Sequence, residues 1–100
     1  MIHVLVTYTI SADFIEKNKQ NIALFLSDFK KLDPSKFCYD VFNEGAGSTF
    51  IHLSEYADET IQQQLLNTPS FIRFQQERDL HILNNSHTLK VLTRVGSSST

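Results

Sequence analysis

Four histidines, His3, His52, His81 and His87, are the side chains of this sequence best suited to proton transfer or metal binding. No two lie within four residues of each other, so no local His-x-x-x-His ligand spacing exists and the reading is that none holds a metal. His81 and His87 flank the turn Asn84-Asn85-Ser86 and are expected in solvent. His52 differs. It falls in the middle of a strand-like run, on the same face as Phe50, Ser54 and Tyr56, where an imidazole with an ordinary pKa near ~6.5 can serve as base or hydrogen-bond donor to a small molecule. A satisfied, half-buried structural histidine is the competing reading. The lone Cys38 has no neighbouring cation in sequence and no helix terminus beside it, and reads as a buried or edge thiol. Gly45-Ala46-Gly47 joins strand to strand and is too short to cradle a phosphate. Tyr56, Phe71 and Phe74 read either as pocket lining or, at helical and strand spacing, as core.

The bulk numbers narrow the choices. One hundred residues suit a single domain with one hydrophobic core and no staples, and 41% hydrophobic with 20% charged residues is ordinary globular usage. Net charge is −2 and the basic residues are scattered, so no concentrated patch exists for nucleic acid or an anionic membrane. One cysteine excludes an internal disulfide framework. The start Met1-Ile2-His3-Val4 lacks a basic region ahead of an apolar run, and no stretch approaches the ~18 apolar residues of a span. A cytoplasmic location is expected.

These side chains must be positioned by elements the patterning predicts. Ile2 to Ile10 is a strand with Val4, Val6 and Tyr8 on one face and His3, Leu5 and Thr7 on the other. Ser11 is expected to cap a helix of about twenty residues, whose apolar positions Phe14, Ile22, Phe25, Phe29 and Leu32 recur at helical intervals until Asp33-Pro34. Phe37–Asn43 and Thr49–Tyr56 are strands joined by a loop whose glycines would supply positive φ. Asp58 caps a short helix to about Leu66, and Thr68-Pro69 restarts a helix to about Leu80. His87 to Val95 is the last strand. Residues 1–95 thus form one domain and the polar 96–100 a disordered tail.

This order, strand–helix–strand–strand–helix–strand, is the ferredoxin-like α+β arrangement: a four-stranded antiparallel sheet with helices on one face. Apolar residues occupy both faces of the strands, so the face without helices needs a cover. A second copy of the chain, two sheets closing into a barrel, is the simplest one. RNA-recognition modules share the order, but of their third-strand signature only the aromatic Phe50 is present, with Ser48 and Leu53 at the other positions.

Tyr39-Asp40-Val41-Phe42, Phe50-Ile51-His52-Leu53-Ser54-Glu55-Tyr56, Leu65-Leu66 and Thr68-Pro69-Ser70-Phe71-Ile72-Arg73-Phe74 resemble the antibiotic-biosynthesis-monooxygenase family of dimeric α/β barrels, without gaps from Phe50 to Phe74. The resemblance implies a homodimer with a mostly apolar pocket between the sheet and the second helical segment. Some members oxygenate quinol-like or polyphenolic substrates with O₂ and no cofactor, by favouring the substrate's anion. Others degrade haem or a signalling metabolite, and many have no known activity. Ser54, Leu65 and Ser70 stand where many members carry a strand glutamate, a helical histidine and a histidine after the proline. Haem degradation is not supported, because Leu65 and Gln75 occupy the positions of the tryptophan and the axial histidine.

Two readings follow. One is a cofactor-independent monooxygenase, an oxidoreductase of a small aromatic, with His52 as hydrogen-bonding base and Tyr56 as donor, and Tyr8, Ser54, Leu65, Phe71 and Phe74 lining the pocket. The other is a non-catalytic dimeric barrel that binds an apolar ligand or serves only as a homodimeric module. The residues alone leave open whether the chain is an enzyme.

Overall fold

The computed structural model describes residues 1–99. Strand β1 (Ile2–Thr9) obeys the period-2 pattern: Val4 and Tyr8 are buried while His3, Leu5 and Thr7 stay partly exposed on the other face. A single 3₁₀ turn, Ala12–Phe14, then leads into helix α1 (Ile15–Phe29). The Ser11 hydroxyl makes no capping bond; its carbonyl accepts from Phe14 N–H at 3.0 Å instead. The helix is therefore shorter at both ends than its apolar spacing predicts, because a 3₁₀ turn and a final turn at Lys30–Leu32 repeat nearly the same spacing. Phe14, Asn18, Ile22, Phe25 and Phe29 form its buried stripe.

Strands β2 (Phe37–Asn43) and β3 (Thr49–Tyr56) form a hairpin. In its loop, positive φ falls on Gly45 (55°) and Ala46 (58°) rather than on both glycines. At Gly47 the constraint is of another kind: a Cβ there would meet the Glu44 carbonyl oxygen at a tight 3.2 Å. Asp58 caps α2 (Glu59–Leu66) as predicted, its Oδ1 accepting from Ile61 N–H at 3.0 Å. Thr68 precedes α3 (Pro69–Asp79), with its hydroxyl donating back to the Gln64 carbonyl. Strand β4 is only Thr88–Leu92, not His87–Val95. Its pairing ends at His3↔Leu92, next to the start of β1, so later residues find no strand to pair with. The tail carries no helix or strand through Ser99, and its last residue, Thr100, lies outside the described residues.

The sheet is antiparallel throughout, in the order β2-β3-β1-β4, the ferredoxin-like arrangement. The helices cover one face over β1, β2 and β3, while Leu89 and Val91 of β4, on the same face, stay exposed. Against that face pack Val4, Tyr8, Phe50, Tyr56, Phe25, Phe29, Ile61, Leu65, Phe71 and Phe74 in one continuous core. Phe50 belongs to that covered face and is 1% exposed, out of reach of a nucleic-acid base. The other face stays open, with Phe42, Leu53 and Leu92 exposed. Among the described residues no helix is long and apolar enough to cross a membrane.

Candidate functional site

Register brings the chemistry together. Val41 of β2 and Val6 of β1 both pair with His52, and Ser54 pairs with Tyr39 on one side and Val4 on the other. All of these side chains therefore share the helix-covered face. Between that face and α2–α3 lies a cavity of about 210 Å³, whose polar lining is Tyr39, His52, Ser54, Tyr56, Gln62, Gln75, Arg78 and His87. Val4, Val6, Leu66, Phe71, Leu89 and Val91 supply its apolar walls.

His52 is 2% exposed and bonded at both nitrogens: Nε2 lies 2.8 Å from the Tyr8 hydroxyl, Nδ1 2.8 Å from that of Tyr39. Burial pushes its pKa down to about 3, helped by the positive charge of Arg78, so the ring is neutral near pH 7. A neutral imidazole has one N–H and one lone pair, so one tyrosine donates to it and the other accepts from it. It has no free nitrogen with which to take a substrate proton. Burial raises the Tyr8 phenol, opposed by the Asn18 amide and Arg78, and raises Tyr39 well above the ordinary range. Tyr56 is raised by burial too, against the effect of the Ser54 hydroxyl. All three phenols stay protonated at neutral pH.

Arg78 is the cation of the site. Phe71, Phe74 and Arg78 fall on one stripe of α3, which carries the guanidinium inward until the residue is 6% exposed. Its central carbon lies 5.4 Å from the Tyr8 ring centroid and 5.2 Å from that of Phe74, in cation–π range. Nε and Nη2 both donate to one oxygen of Asp79, at 3.1 and 3.0 Å, but that carboxylate is 60% exposed and screened by water. Its charge still reaches the cavity, where it helps to hold the His52 pKa down.

Of the residues singled out from sequence, His52, Tyr56, Ser54 and Phe71 line this one cavity. Tyr8, Leu65 and Phe74 do not. They are almost fully buried behind its wall, because the aromatic core between α1, α3 and the sheet closes over them. Gln75 lines the cavity, whereas the Ser70 hydroxyl donates to Asp28 at 2.6 Å and ties α3 to α1. His81 is not simply solvated: it is half-buried, stacked on Phe14 with centroids 3.8 Å apart. His87 is exposed at the cavity rim. Sequence reasoning missed Asn18, Tyr39 and the role of Arg78. The signal for two of them was present, since Asn18 and Arg78 are polar members of otherwise apolar helical stripes.

The open sheet face carries a larger, shallower groove of about 360 Å³ along His3, Cys38, Asp40, Leu53, Glu55 and Arg94. Its polar groups meet each other: a Glu55 carboxylate oxygen lies 3.4 Å from the His3 ring nitrogen and 3.5 Å from the Arg94 guanidinium. Cys38 is an exposed thiol on the edge strand, and burial of its sulfur together with the Asp40 carboxylate pushes its pKa up, away from the reactive thiolate.

Neither a protein-family model nor a curated protein matches the sequence. Solved structures do match in three dimensions. The crystal structure of an antibiotic biosynthesis monooxygenase superposes with a TM-score of 0.78 at 17% identity, covering 96% of this chain and 100% of its own. A candidate antibiotic biosynthesis monooxygenase from Bacteriodes thetaiotaomicron superposes at 0.81 with 15% identity, covering 99% and 93%. A cofactor-independent oxygenase from Streptomyces nogalater gives 0.73 and 10%, covering 99% and 97%. The chain has the fold of the antibiotic biosynthesis monooxygenases, and the resemblance read from Phe50 to Phe74 holds at that level.

Proposed function

We propose that this protein binds a small phenolic aromatic as its anion in the cavity between the sheet and α3, and that the bound anion reacts with O₂ without a cofactor. The observation that carries the reading is Arg78, a buried guanidinium whose one carboxylate partner is exposed, beside a cavity lined by apolar groups and uncharged polar side chains. A cation in such a site lowers the pKa of a bound phenol and stabilises the electron-rich phenolate. At about 210 Å³ the cavity is smaller than the roughly 300–1,000 Å³ of drug-sized pockets, which limits the ligand to one or two rings. In the reaction one oxygen atom enters the ring and the other leaves as water. A phenol with a free para position then becomes a quinone, supplying all four electrons and both hydrogens of that water. His52 serves here as a neutral hydrogen-bonded strut rather than a base, and Tyr56 as a cavity hydroxyl.

The expected result is protein-dependent O₂ uptake with one- or two-ring phenols and quinols, reduced at least tenfold in Arg78→Met. No uptake with any such substrate, despite retained binding, would favour the second reading, a non-catalytic ligand-binding barrel. One observation supports that alternative: both His52 nitrogens are already engaged, so His52 is not a free base.

The partner on the open face is, in this reading, a second copy of the chain. Phe42 (53% exposed) and Leu53 (41%) present apolar surface on the sheet face that no helix covers. A dimer by sedimentation that dissociates in Leu53→Glu is the expected result; a monomer at micromolar concentration would overturn it. The unpaired Cys38 fits a reducing compartment such as the cytoplasm.

A further inference from the structure

Four polar groups from four elements form one unbranched chain of hydrogen bonds. Asn18 Nδ2 of α1 lies 2.9 Å from the Tyr8 hydroxyl of β1, which lies 2.8 Å from His52 Nε2 of β3, whose Nδ1 lies 2.8 Å from the Tyr39 hydroxyl of β2. Such a chain has a direction, because each hydroxyl and the neutral ring carry one proton apiece. An amide N–H only donates. The Tyr8 oxygen is therefore the acceptor toward Asn18, and its own proton goes to His52 Nε2. Were Tyr8 to accept from both neighbours, its buried O–H would be left unpaired, at a cost of about 1–3 kcal/mol. His52 must then carry its proton on Nδ1 and donate to the Tyr39 oxygen. The Tyr39 proton is the one left over: among the described residues that hydroxyl has no hydrogen-bond partner besides His52. Tyr39 lines the cavity.

The amide that starts the chain is not placed by saturation of both its ends. Asn18 is 0% exposed and its Oδ1 is buried without a partner, so the bond to Tyr8 is the one its side chain makes. The opposite amide orientation would reverse every bond, leave both Asn18 N–H groups unpaired, and turn Tyr39 into an acceptor toward the cavity. We infer that Asn18 is a positioning residue which sets the direction of the chain, and that the Tyr39 hydroxyl is in consequence the donor that the cavity offers to an oxygen of its ligand. This deepens the proposed function, on which its ligand half rests. Tyr39 and Arg78 together favour a phenolate or carbonyl oxygen over a neutral hydroxyl.

The tautomer of His52 tests the direction without any ligand. In the full chain with labelled histidine, assigned by loss of the signal in His52→Gln, imidazole nitrogen shifts should report protonation at Nδ1. Asn18→Asp, whose carboxylate accepts from Tyr8, should move the proton to Nε2. Protonation at Nε2 in the wild type would overturn the inference, and that measurement decides even if Asn18→Asp fails to fold. The ligand half is read with 4-nitrophenolate, followed by its absorbance, and with toluene as a probe lacking oxygen. Tyr39→Phe should weaken 4-nitrophenolate at least tenfold, about 1.4 kcal/mol, and toluene less than twofold. Equal binding of 4-nitrophenolate by Tyr39→Phe and wild type would overturn the role of Tyr39. Failure of the proposed function shows differently, as a wild type that binds neither probe; that result removes the ligand role of Tyr39 while the tautomer still reports on Asn18.

Discussion

The two faces of the sheet are built by the same four strands, yet neighbouring residues on β3 live in different media. His52 is sealed between two phenols and held neutral, while Leu53, one residue on, is exposed, and Glu55 reaches to His3 and Arg94 in a wet groove. Both faces have an apolar supply: Val4, Val6 and Phe50 on one, Leu5, Ile51, Leu53 and Phe42 on the other. What differs is that α1 and α3 cover only the first. Without water, a polar group needs a fixed partner, so the covered face organises its few polar groups into a directed chain. On the open face water substitutes for a lost partner, and the ion pairs are worth little.

Packing gives the largest contrast. Phe74 is fully buried against the rings of Tyr8, Phe25, His52 and Phe71, so Phe74→Ala should cost about 3–5 kcal/mol in urea unfolding. Leu53→Ala should cost under about 1 kcal/mol in the isolated chain. A Leu53→Ala cost that grows with protein concentration would sharpen the comparison by showing the open face covered by a second copy.

Acid comes next. The folded pKa of His52, about 3, lies below the ordinary value of 6.5 expected when unfolded. The unfolded chain thus binds the extra proton first. Stability from neutral His52 is complete above pH ~6.5 and is lost as pH falls toward 3, at up to about 1.4 kcal/mol per pH unit. Between pH 7 and 5, His52→Gln should flatten that slope; an unchanged slope would mean that His52 is not the buried group titrating.

Tyr39→Phe keeps the ring but strands His52 Nδ1, with an expected loss of about 1 kcal/mol. Glu55→Gln on the open face should change stability by less than about 1 kcal/mol, and less still at high salt. If the two losses prove equal, the contrast between dry and wet faces fails.

Much of this was legible from residue patterns. Alternation placed Phe50, His52, Ser54 and Tyr56 on one face, and the structure puts His52, Ser54 and Tyr56 on a common cavity. The Asp58 and Thr68-Pro69 signals marked two helix starts to the residue. Strand β4 ran shorter than its composition suggests because pairing, not propensity, ends a strand at the sheet's margin. Phe74 is core, as its helical spacing allowed, but the depth of Tyr8 and Leu65 was not legible: face follows from period, while depth depends on what packs on top.

By itself, then, the sequence determined the element order, the faces, and the apolar supply that makes a covered sheet, since these follow from local spacing and turn chemistry. Only the tertiary structure decided the chemistry. Asn18, Tyr8, His52 and Tyr39 are 10, 44 and 13 residues apart along their successive bonds. Register and helix docking bring them within 3 Å, and burial then holds the imidazole neutral and gives the chain of hydrogen bonds its direction. Local patterning carries no record of such a meeting, because it depends on how distant segments pack.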